Sequence, residues 1–471
     1  MNKIQKTADL LFEKHDTFKE KSISHRRFKH SDMLKIFDKI KSGGKFNFEF
    51  VGKSVLGRDL NLLSIGKGKT KIFLWTQMHG NESTATMALF DIFNFFTDTS
   101  TLTEIKETIL NNLTLYFLPM VNPDGTELFQ RENIYNIDIN RDAVALQTPE
   151  GKILAETFKK IKPLFSFNLH DQSVLYSAGN TGNSATLSFL APAYNLEKSI
   201  NTTRENSMKV IGAMYKTLSK YIPGCIARYS DEFEPRAYGD MFQSLGSSTI
   251  LIESGGRKND TEKQFIRKLN FTAILTSLHL IAEKKNADVE PSLYNEIPFN
   301  EEKLFNTILR NLTFEKNGQN FKADLAIISE EVETQSEPNF YLKSKIGGIG
   351  DLSTFYGYEE YELKGYKIKP GMTYQKIFQN INDIKLSEIK QYIKQGYTNF
   401  VVEKTNFQDY CPFPINIYSK RNGNKINKIK SENPADFYIS KKGEIKFVVV
   451  NGFIINLENE IEQNINGIIY H

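Results

Sequence analysis

The sequence predicts an α/β fold in which helices sandwich a mixed, mostly parallel sheet, followed by a C-terminal β-rich domain. Between residues 71 and 284, short apolar runs alternate with longer helical patterns, as in chains whose strands and helices alternate. Beyond residue 300 the pattern changes to short alternating runs that favour strands. A chain of 471 residues is also too long for one ordinary core, so two or three domains are expected.

The predicted elements begin with two helices within residues 1–42 and a hairpin. Two strands, 46–51 and 60–65, are joined by the turn Gly57-Arg58-Asp59. The runs that follow predict strands at 71–76, 113–119, 164–169 and 248–252, and helices near 83–96, 101–111, 147–161, 196–221 and 262–284. The domains expected from these patterns are an N-terminal helical segment (1–44), a main domain (45–290) and a C-terminal accessory domain (300–471).

The composition is that of a globular protein, with 40% hydrophobic and 25% charged residues. A net charge of +4 is small for this length, so neither nucleic acid nor an anionic membrane is expected as a partner. The two cysteines, Cys225 and Cys411, lie far apart and are expected to be reduced thiols. Residues 1–19 show no signal-peptide pattern, and no stretch approaches the roughly 20 apolar residues of a membrane span. Together these features predict a cytoplasmic protein.

Polar residues capable of chemistry follow four of the apolar runs. The first run leads to His79 and Glu82, the second to Asn-Pro-Asp-Gly at 122–125, the third to His170 and the fourth to Glu253. In sheets of this kind, ligands bind beyond the carboxyl ends of the strands. We therefore expect these side chains to converge on one site.

The residue types in this set are those of a catalytic zinc site. His79 with Glu82 alone is weak evidence, since a His-x-x-Glu spacing often arises by chance, but His170 supplies a third ligand. A catalytic zinc keeps its fourth position open, and the sequence places no cysteine near these motifs to close a structural site. Glu253 has the chemistry of a general base that takes a proton from water and passes it to the leaving amine.

Basic residues between the second and third strand ends add to this set. Arg131 is followed by the pair Asn140-Arg141. Arginine can bind a carboxylate through two parallel hydrogen bonds, and it can stabilise a developing oxyanion. Both tasks fit a site that hydrolyses an amide bond.

Taken in order, the motifs resemble those of the zinc carboxypeptidases of the M14 (funnelin) class. The resemblance covers roughly residues 45–285. The residues that carry it are Gly57-Arg58-Asp59-Leu60, His79-Gly80-Asn81-Glu82, Asn122-Pro123-Asp124-Gly125, Arg131, Asn140-Arg141, His170 and Glu253. It implies a carboxypeptidase-like fold of the phosphorylase/hydrolase-like type and one bound zinc ion.

The resemblance also implies a role for each matching residue. Those that match the zinc ligands of the family are His79, Glu82 and His170. Arg131 matches the arginine that stabilises the tetrahedral oxyanion, and Glu253 matches the general base. Asn140 and Arg141 match the pair that holds the terminal carboxylate of the substrate.

Three features depart from the family pattern. Many relatives have an acidic residue two positions before the last zinc ligand, where this chain has Asn168. His170 is followed by Asp171-Gln172, and Asp171 is either a partner of the metal ligands or a solvated residue. The tyrosine that covers the substrate has two candidates in the right interval, Tyr229 and Tyr238, of which Tyr238 is preferred.

These features predict a zinc-dependent carboxypeptidase that hydrolyses the C-terminal amide bond of a peptide or muropeptide with a free carboxylate. Two alternatives stay open: an amidase or deacylase of M14 fold acting on a small acyl-amino acid or muropeptide, and a catalytically silent binding module. Charged residues of both signs before Glu253 leave the preferred side chain open. The C-terminal domain resembles the small β-sandwich of amidohydrolases at 433–437 and 449–452, which implies a scaffold or a homodimer contact without chemistry of its own.

Overall fold

A computed structural model describes residues 2–334, 340–405, 408–422, 428–459 and 465–471. The chain forms two compact units, Met1–Glu302 and Lys303–His471. The first unit combines helices and strands, and the second consists mainly of strands. Among the helices in these ranges, none is long and apolar enough to cross a membrane.

The first unit contains the elements that surround the predicted site. Its helices are α1 (Asn2–Phe18), α2 (His30–Ser42), α3 (Thr84–Thr97), α4 (Thr103–Asn112), α5 (Pro123–Leu128), α6 (Pro149–Ile161), α7 (Thr202–Leu218), α8 (Tyr238–Ser244), α9 (Gln264–Ala282) and α10 (Ser292–Asn295). Its strands are β1 (Asn47–Lys53), β2 (Asp59–Gly66), β3 (Thr70–Thr76), β4 (Leu113–Leu118), β5 (Phe165–Asp171), β6 (Tyr176–Ala178), β7 (Leu187–Leu190), β8 (Ile226–Arg228), β9 (Ser248–Ser254) and β10 (Asn300–Glu302).

Eight of these strands form one sheet in the order β1-β2-β4-β3-β5-β9-β7-β8. In its centre β4, β3, β5 and β9 run parallel, whereas β1 and β2 form an antiparallel hairpin at one edge. On the other side β7 runs antiparallel to β9. The sheet is therefore mixed with a parallel centre, and the carboxyl ends of β3, β5 and β9 lie at the same edge.

Two hydrophobic cores cover the two faces of this sheet. Along β3 the buried side chains alternate, with Ile72 and Leu74 in one core and Phe73 and Trp75 in the other. The first core contains residues of α3, α7 and α9, and the second contains residues of α6 and α8. Because both faces are covered, β3 is continuously apolar from Ile72 to Trp75 rather than alternating with polar residues. The predicted α/β sandwich is confirmed.

A buried ionic network joins α1 to α3 and α9. Asp91 of α3 has no exposed surface, and its Oδ2 lies 2.8 Å from His15 Nε2 and 2.7 Å from Arg267 Nε. The backbone N–H of Glu20 donates to the other oxygen of Asp91. The network therefore links the N-terminal helix α1 to the rest of the first unit. Removal of one partner would leave a buried charge without compensation, which is strongly destabilising.

Among its described residues, the second unit contains one α-helix and two sheets. The helix is α11 (Leu386–Lys394), and the strands are β11 (Leu304–Lys316), β12 (Gln319–Glu333), β13 (Phe340–Gly350), β14 (Tyr356–Glu362), β15 (Lys367–Pro370), β16 (Met372–Phe378), β17 (Tyr397–Val402), β18 (Tyr410–Cys411), β19 (Asn416–Ser419), β20 (Phe437–Lys441), β21 (Glu444–Val450), β22 (Phe453–Asn456) and β23 (Gly467–Tyr470). One sheet has the order β13-β12-β11-β15-β20-β21-β22, with β14 beside β11, and the other has the order β16-β17-β19-β23-β18. The predicted β-rich character of this part of the chain is confirmed.

The elements that sequence patterns missed are the short ones. The strands β7 and β8 have four and three residues, so they carry too little periodicity to be recognised. The helix expected near 196–221 is present as the shorter α7, which begins after Asn201, whose side chain accepts a hydrogen bond from the backbone N–H of Arg204. The predicted hairpin of β1 and β2 is present, with the turn at Gly57 in the left-handed region (φ +79°).

Candidate metal centre and active site

The structure brings His79, Glu82 and His170 together at the carboxyl edge of the central strands. His79 and Glu82 lie between β3 and α3, and His170 lies near the end of β5. Glu82 Oε1 is 2.8 Å from His79 Nδ1, and Glu82 Oε2 is 2.7 Å from His170 Nδ1. All three side chains are buried, so the two imidazoles face one carboxylate in a water-poor environment.

This group fits a zinc ion by its donor set and its spacing. Its three candidate ligand atoms all lie within 4.8 Å of one another. Ligands of a tetrahedral zinc, at about 2.1 Å from the metal, stand about 3.4 Å apart, so small side-chain shifts suffice. Two imidazoles and one carboxylate are also the protein ligands of a common class of catalytic zinc site, which leaves one coordination position open.

Asp138 connects the metal-type ligands to Arg131. Its Oδ1 lies 3.0 Å from His79 Nε2, and its Oδ2 accepts hydrogen bonds from Arg131 Nη2 (3.1 Å) and Nε (3.3 Å). Arg131 also donates from Nη1 to Glu82 Oε1 at 3.1 Å. Burial opposes ionisation of Asp138, but the bonds from His79 and Arg131 hold the pKa of its carboxyl well below the ordinary value. Asp138 therefore orients both the imidazole and the guanidinium.

Glu253 stands on the strand next to His170. The two residues pair in register between β5 and β9, so their side chains lie on the same face of the sheet. Glu253 is only 9% exposed, and within the described residues its Oε2 has no hydrogen-bond partner. Burial raises the pKa of Glu253 well above its usual value, and the negative charges of Glu82 and Asp171 raise it further. A buried carboxylate with a raised pKa beside metal-type ligands has the properties of a general base.

Asn140 and Arg141 lie in a short turn that Asp138 begins. The Asp138 side chain accepts a hydrogen bond from the backbone N–H of Asn140, and Asn140 Oδ1 accepts one from the backbone N–H of Tyr238. The Arg141 side chain is 42% exposed, and its Nε lies 3.7 Å from Glu234 Oε2. A positive group is therefore exposed three residues after Asp138, which accepts hydrogen bonds from Arg131.

Tyr238 does not occupy the position expected of a substrate-covering residue. It begins α8 with no exposed surface, and its hydroxyl donates to the backbone oxygen of Gly151 at 2.7 Å. A buried side chain with its hydroxyl already bound cannot cover a substrate, so the preference for Tyr238 is corrected. The other candidate, Tyr229, is half-buried, and its pKa is raised by burial and then by the nearby charge of Glu253.

The Asn-Pro-Asp-Gly run at 122–125 has a structural role beside the site. The side chain of Asn122 accepts the backbone N–H of Gly125, and Asp124 accepts a hydrogen bond from Arg58 Nη1 at 2.6 Å. A Cβ atom at Gly80 would lie 2.2 Å from the backbone carbon of Gly125. The two motifs therefore pack backbone against backbone, which requires glycine at position 80.

Two residues near the site were assigned no role in it from the sequence. The side chain of Lys263 is 5% exposed and lies 3.0 Å from Asp171 Oδ2. Asn168 is buried, and neither polar atom of its amide has a partner in the described part of the chain. Lys263 lies in a polar stretch without any motif, so the sequence offered no signal for it. The signal for Asn168 was its position two residues before His170.

A buried His-Glu-His group at the edge of an α/β sheet, with a neighbouring carboxylate and arginine, has the residue types found in metallohydrolase sites. Residues 44–142 match the family model of the zinc carboxypeptidases, Peptidase_M14. The predicted resemblance to the M14 zinc carboxypeptidases is therefore confirmed.

Several proteins that are similar to this chain in sequence or fold are named as carboxypeptidases. "Probable carboxypeptidase 2" of Arthroderma benhamiae is 24% identical over 222 residues, which cover 46% of this chain and 38% of that protein. "Carboxypeptidase SOL1" of Arabidopsis thaliana is 28% identical over 136 residues, which cover 26% of this chain and 28% of that protein. A metallo-carboxypeptidase structure from Burkholderia cenocepacia aligns with a TM-score of 0.46 and 14% identity over 55% of this chain and 70% of that chain. The chain thus spans less than half the length of these two named relatives.

Proposed function

We propose that the protein is a zinc-dependent carboxypeptidase that hydrolyses the C-terminal amide bond of peptides. The observation that carries this proposal is the convergence of His79, Glu82 and His170, all buried, with Glu253 in register on the next strand. The match of residues 44–142 to the zinc carboxypeptidases supports it. The cytoplasmic location expected from the sequence stays a prediction.

The residues divide the work of amide hydrolysis between them. A zinc ion held by His79, Glu82 and His170 would polarise the scissile carbonyl and lower the pKa of a water molecule. Glu253 accepts the proton of the attacking water and then donates it to the leaving amine, for which a raised pKa is suitable. The guanidinium of Arg131 stabilises the negative charge that develops on the carbonyl oxygen.

The substrate is expected to carry a free carboxylate beside the scissile amide. Arg141 offers an exposed guanidinium and Asn140 an amide in the same turn, which suit a carboxylate. Asn168 lies two residues before His170 on β5, so both side chains point to the same face of the sheet. Because its buried amide has an unpaired donor and an unpaired acceptor among the described residues, a polar, uncharged terminal side chain would complete its hydrogen bonds.

The test combines metal analysis with matched peptide substrates. The purified protein is expected to contain close to one zinc ion per chain and to cleave a peptide with a free C-terminal carboxylate but not its amidated form. Arg141→Met should raise the KM for the free peptide, because the carboxylate loses its partner. The control is Arg257→Met, which removes another exposed arginine and should leave KM unchanged.

The alternatives are distinguished by the same assay. Equal cleavage of the free and the amidated peptide would contradict the carboxypeptidase proposal and favour an amidase or deacylase. Absence of zinc and of turnover on peptides, muropeptides and acyl-amino acids would favour a silent binding module. Comparison of peptides that end in glutamine, glutamate, lysine and leucine tests the role of Asn168, for which glutamine should be preferred.

A further inference from the structure

A buried lysine that has no part in the chemistry above lies behind the site. Lys263 immediately precedes α9, and its side chain is 5% exposed. Its Nζ donates to Asp171 Oδ2 at 3.0 Å and to the backbone oxygen of Ser254 at 2.9 Å. One ammonium group thus bonds to Asp171, which follows His170 on β5, and to Ser254, which follows Glu253 on β9.

The same network extends to the segment that carries Glu82. Asp171 Oδ2 also accepts a hydrogen bond from Thr84 Oγ1 at 2.6 Å, and Thr84 lies two residues after Glu82. The backbone N–H of Asp171 donates to Glu82 Oε2 at 3.1 Å. The three segments that carry Glu82, His170 and Glu253 therefore meet at one carboxylate and one ammonium.

Two features indicate that this arrangement is more than space filling. An ammonium has three donors, so it can bond to two segments at once, which an apolar side chain of similar volume cannot do. Buried ion pairs are often no more stabilising than well-packed apolar residues, so stability alone does not account for Lys263. Its backbone also lies in the left-handed region (φ +50°), which is unfavourable for a residue with a Cβ atom.

We propose that Lys263, through Asp171 and Ser254, is a positioning residue that fixes the distance between Glu253 and the metal ligands. The inference rests on the proposed function, since it concerns the hydrolysis assigned to this site. Lys263 touches neither substrate nor zinc in this proposal. Its removal should therefore affect the alignment of the catalytic groups more than the binding of the substrate.

The test compares Lys263→Met with Lys106→Met in the full chain. Lys106 is a matched control, because its side chain is also buried (7% exposed) and paired with a carboxylate, Asp98, at 2.6 Å. We expect Lys263→Met to lower kcat about 10- to 100-fold in zinc-saturated protein, with KM within about two-fold of wild type. Lys106→Met should keep kcat and KM within about two-fold of wild type, even if its thermal stability falls as much as that of Lys263→Met.

A spectroscopic measurement examines the metal site without turnover. The visible absorption of Co²⁺ in place of zinc depends on the coordination geometry. The bands of the Co²⁺ form should shift in Lys263→Met and stay unchanged in Lys106→Met. The milder variant Thr84→Val removes only the hydroxyl donor to Asp171, and we expect it to lower kcat about three- to ten-fold. It decides the question if Lys263→Met does not fold.

The results separate this inference from the function on which it rests. If wild type binds zinc and cleaves peptides while Lys263→Met and Thr84→Val match Lys106→Met in kcat and in the Co²⁺ spectrum, the positioning role is refuted. If only Thr84→Val can be measured, a kcat equal to that of wild type refutes it. A wild-type protein with neither zinc nor turnover contradicts the proposed function, and this inference falls with it.

Discussion

Replacement of Glu253 by glutamine separates catalysis from metal binding at this site. Glutamine has nearly the same shape but cannot accept and return a proton. A general base contributes roughly 100- to 10,000-fold to the rate, which corresponds to about 3–5 kcal/mol in the activation barrier. We therefore expect kcat of Glu253→Gln to fall by that factor, with zinc still bound because its candidate ligands are His79, Glu82 and His170.

The same substitution has a second consequence that can be measured independently. Burial and the charges of Glu82 and Asp171 raise the pKa of Glu253, so its ionised form is unfavourable in the folded protein. A carboxyl whose pKa is raised on folding costs stability above its unfolded-state pKa, and this cost grows as the pH rises towards the folded-state value. Glu253→Gln should therefore unfold at a higher temperature than wild type at neutral pH, when both are compared without metal.

The assays are steady-state kinetics, zinc analysis and thermal unfolding, with Glu150→Gln as the control. Glu150 has no exposed surface and a pKa that burial raises, but it binds the backbone N–H of Val55 and the amide of Asn133 rather than facing the metal-type ligands. Its replacement should leave kcat within about two-fold. Loss of zinc from Glu253→Gln would refute the reasoning, because Glu253 would then be a ligand rather than the base.

Metal removal and two charge-removing substitutions provide three further tests. Removal of zinc with a chelator should abolish turnover and lower the unfolding temperature, and added Zn²⁺ should restore both. Burial raises the pKa of Asp240 to about 7, so its charge destabilises the fold increasingly as the pH rises from 4 through 7. Asp240→Asn should consequently gain stability over that range, by at most about 4 kcal/mol at pH 8 in denaturant titrations and by nothing near pH 3. Glu234 Oε2 lies 3.7 Å from Arg141 Nε, where its charge would compete with the carboxylate of the proposed substrate. Glu234→Gln should thus lower KM about two- to five-fold for free peptides and leave it unchanged for neutral analogues.

The sequence predicted the parts of the site that depend on strand ends. Four residues of the site each follow or end an apolar run: His79, Glu82, His170 and Glu253. Parallel strands bring such positions to one edge of a sheet. Their convergence could therefore be expected before the fold was known. The order of the motifs added the resemblance, which the match of residues 44–142 confirms.

The sequence could not predict which side chains turn away from the site. Tyr238 lies in the right interval along the chain, but the start of α8 directs it into the core, where its hydroxyl binds Gly151. The contacts of Asp138 with His79 and Arg131 depend on how the 131–141 segment folds back. Orientation within loops follows from tertiary contacts, which spacing along the chain does not encode.

The charges around the site give a further argument for a divalent cation. The carboxylates gathered there are those of Glu82, Asp138, Asp171 and Glu253, and the cationic side chains among the described residues that bond to them are those of Arg131 and Lys263. With neutral imidazoles the group carries two excess negative charges, and burial makes such an excess costly. Burial by itself lowers the pKa of the His79 imidazole, but the nearby carboxylates of Glu82 and Asp138 together raise it, and burial raises the pKa of Glu253. A divalent ion between the ligands would offset the excess negative charge and favour the deprotonated forms of His79 and Glu253, so zinc binding should release protons.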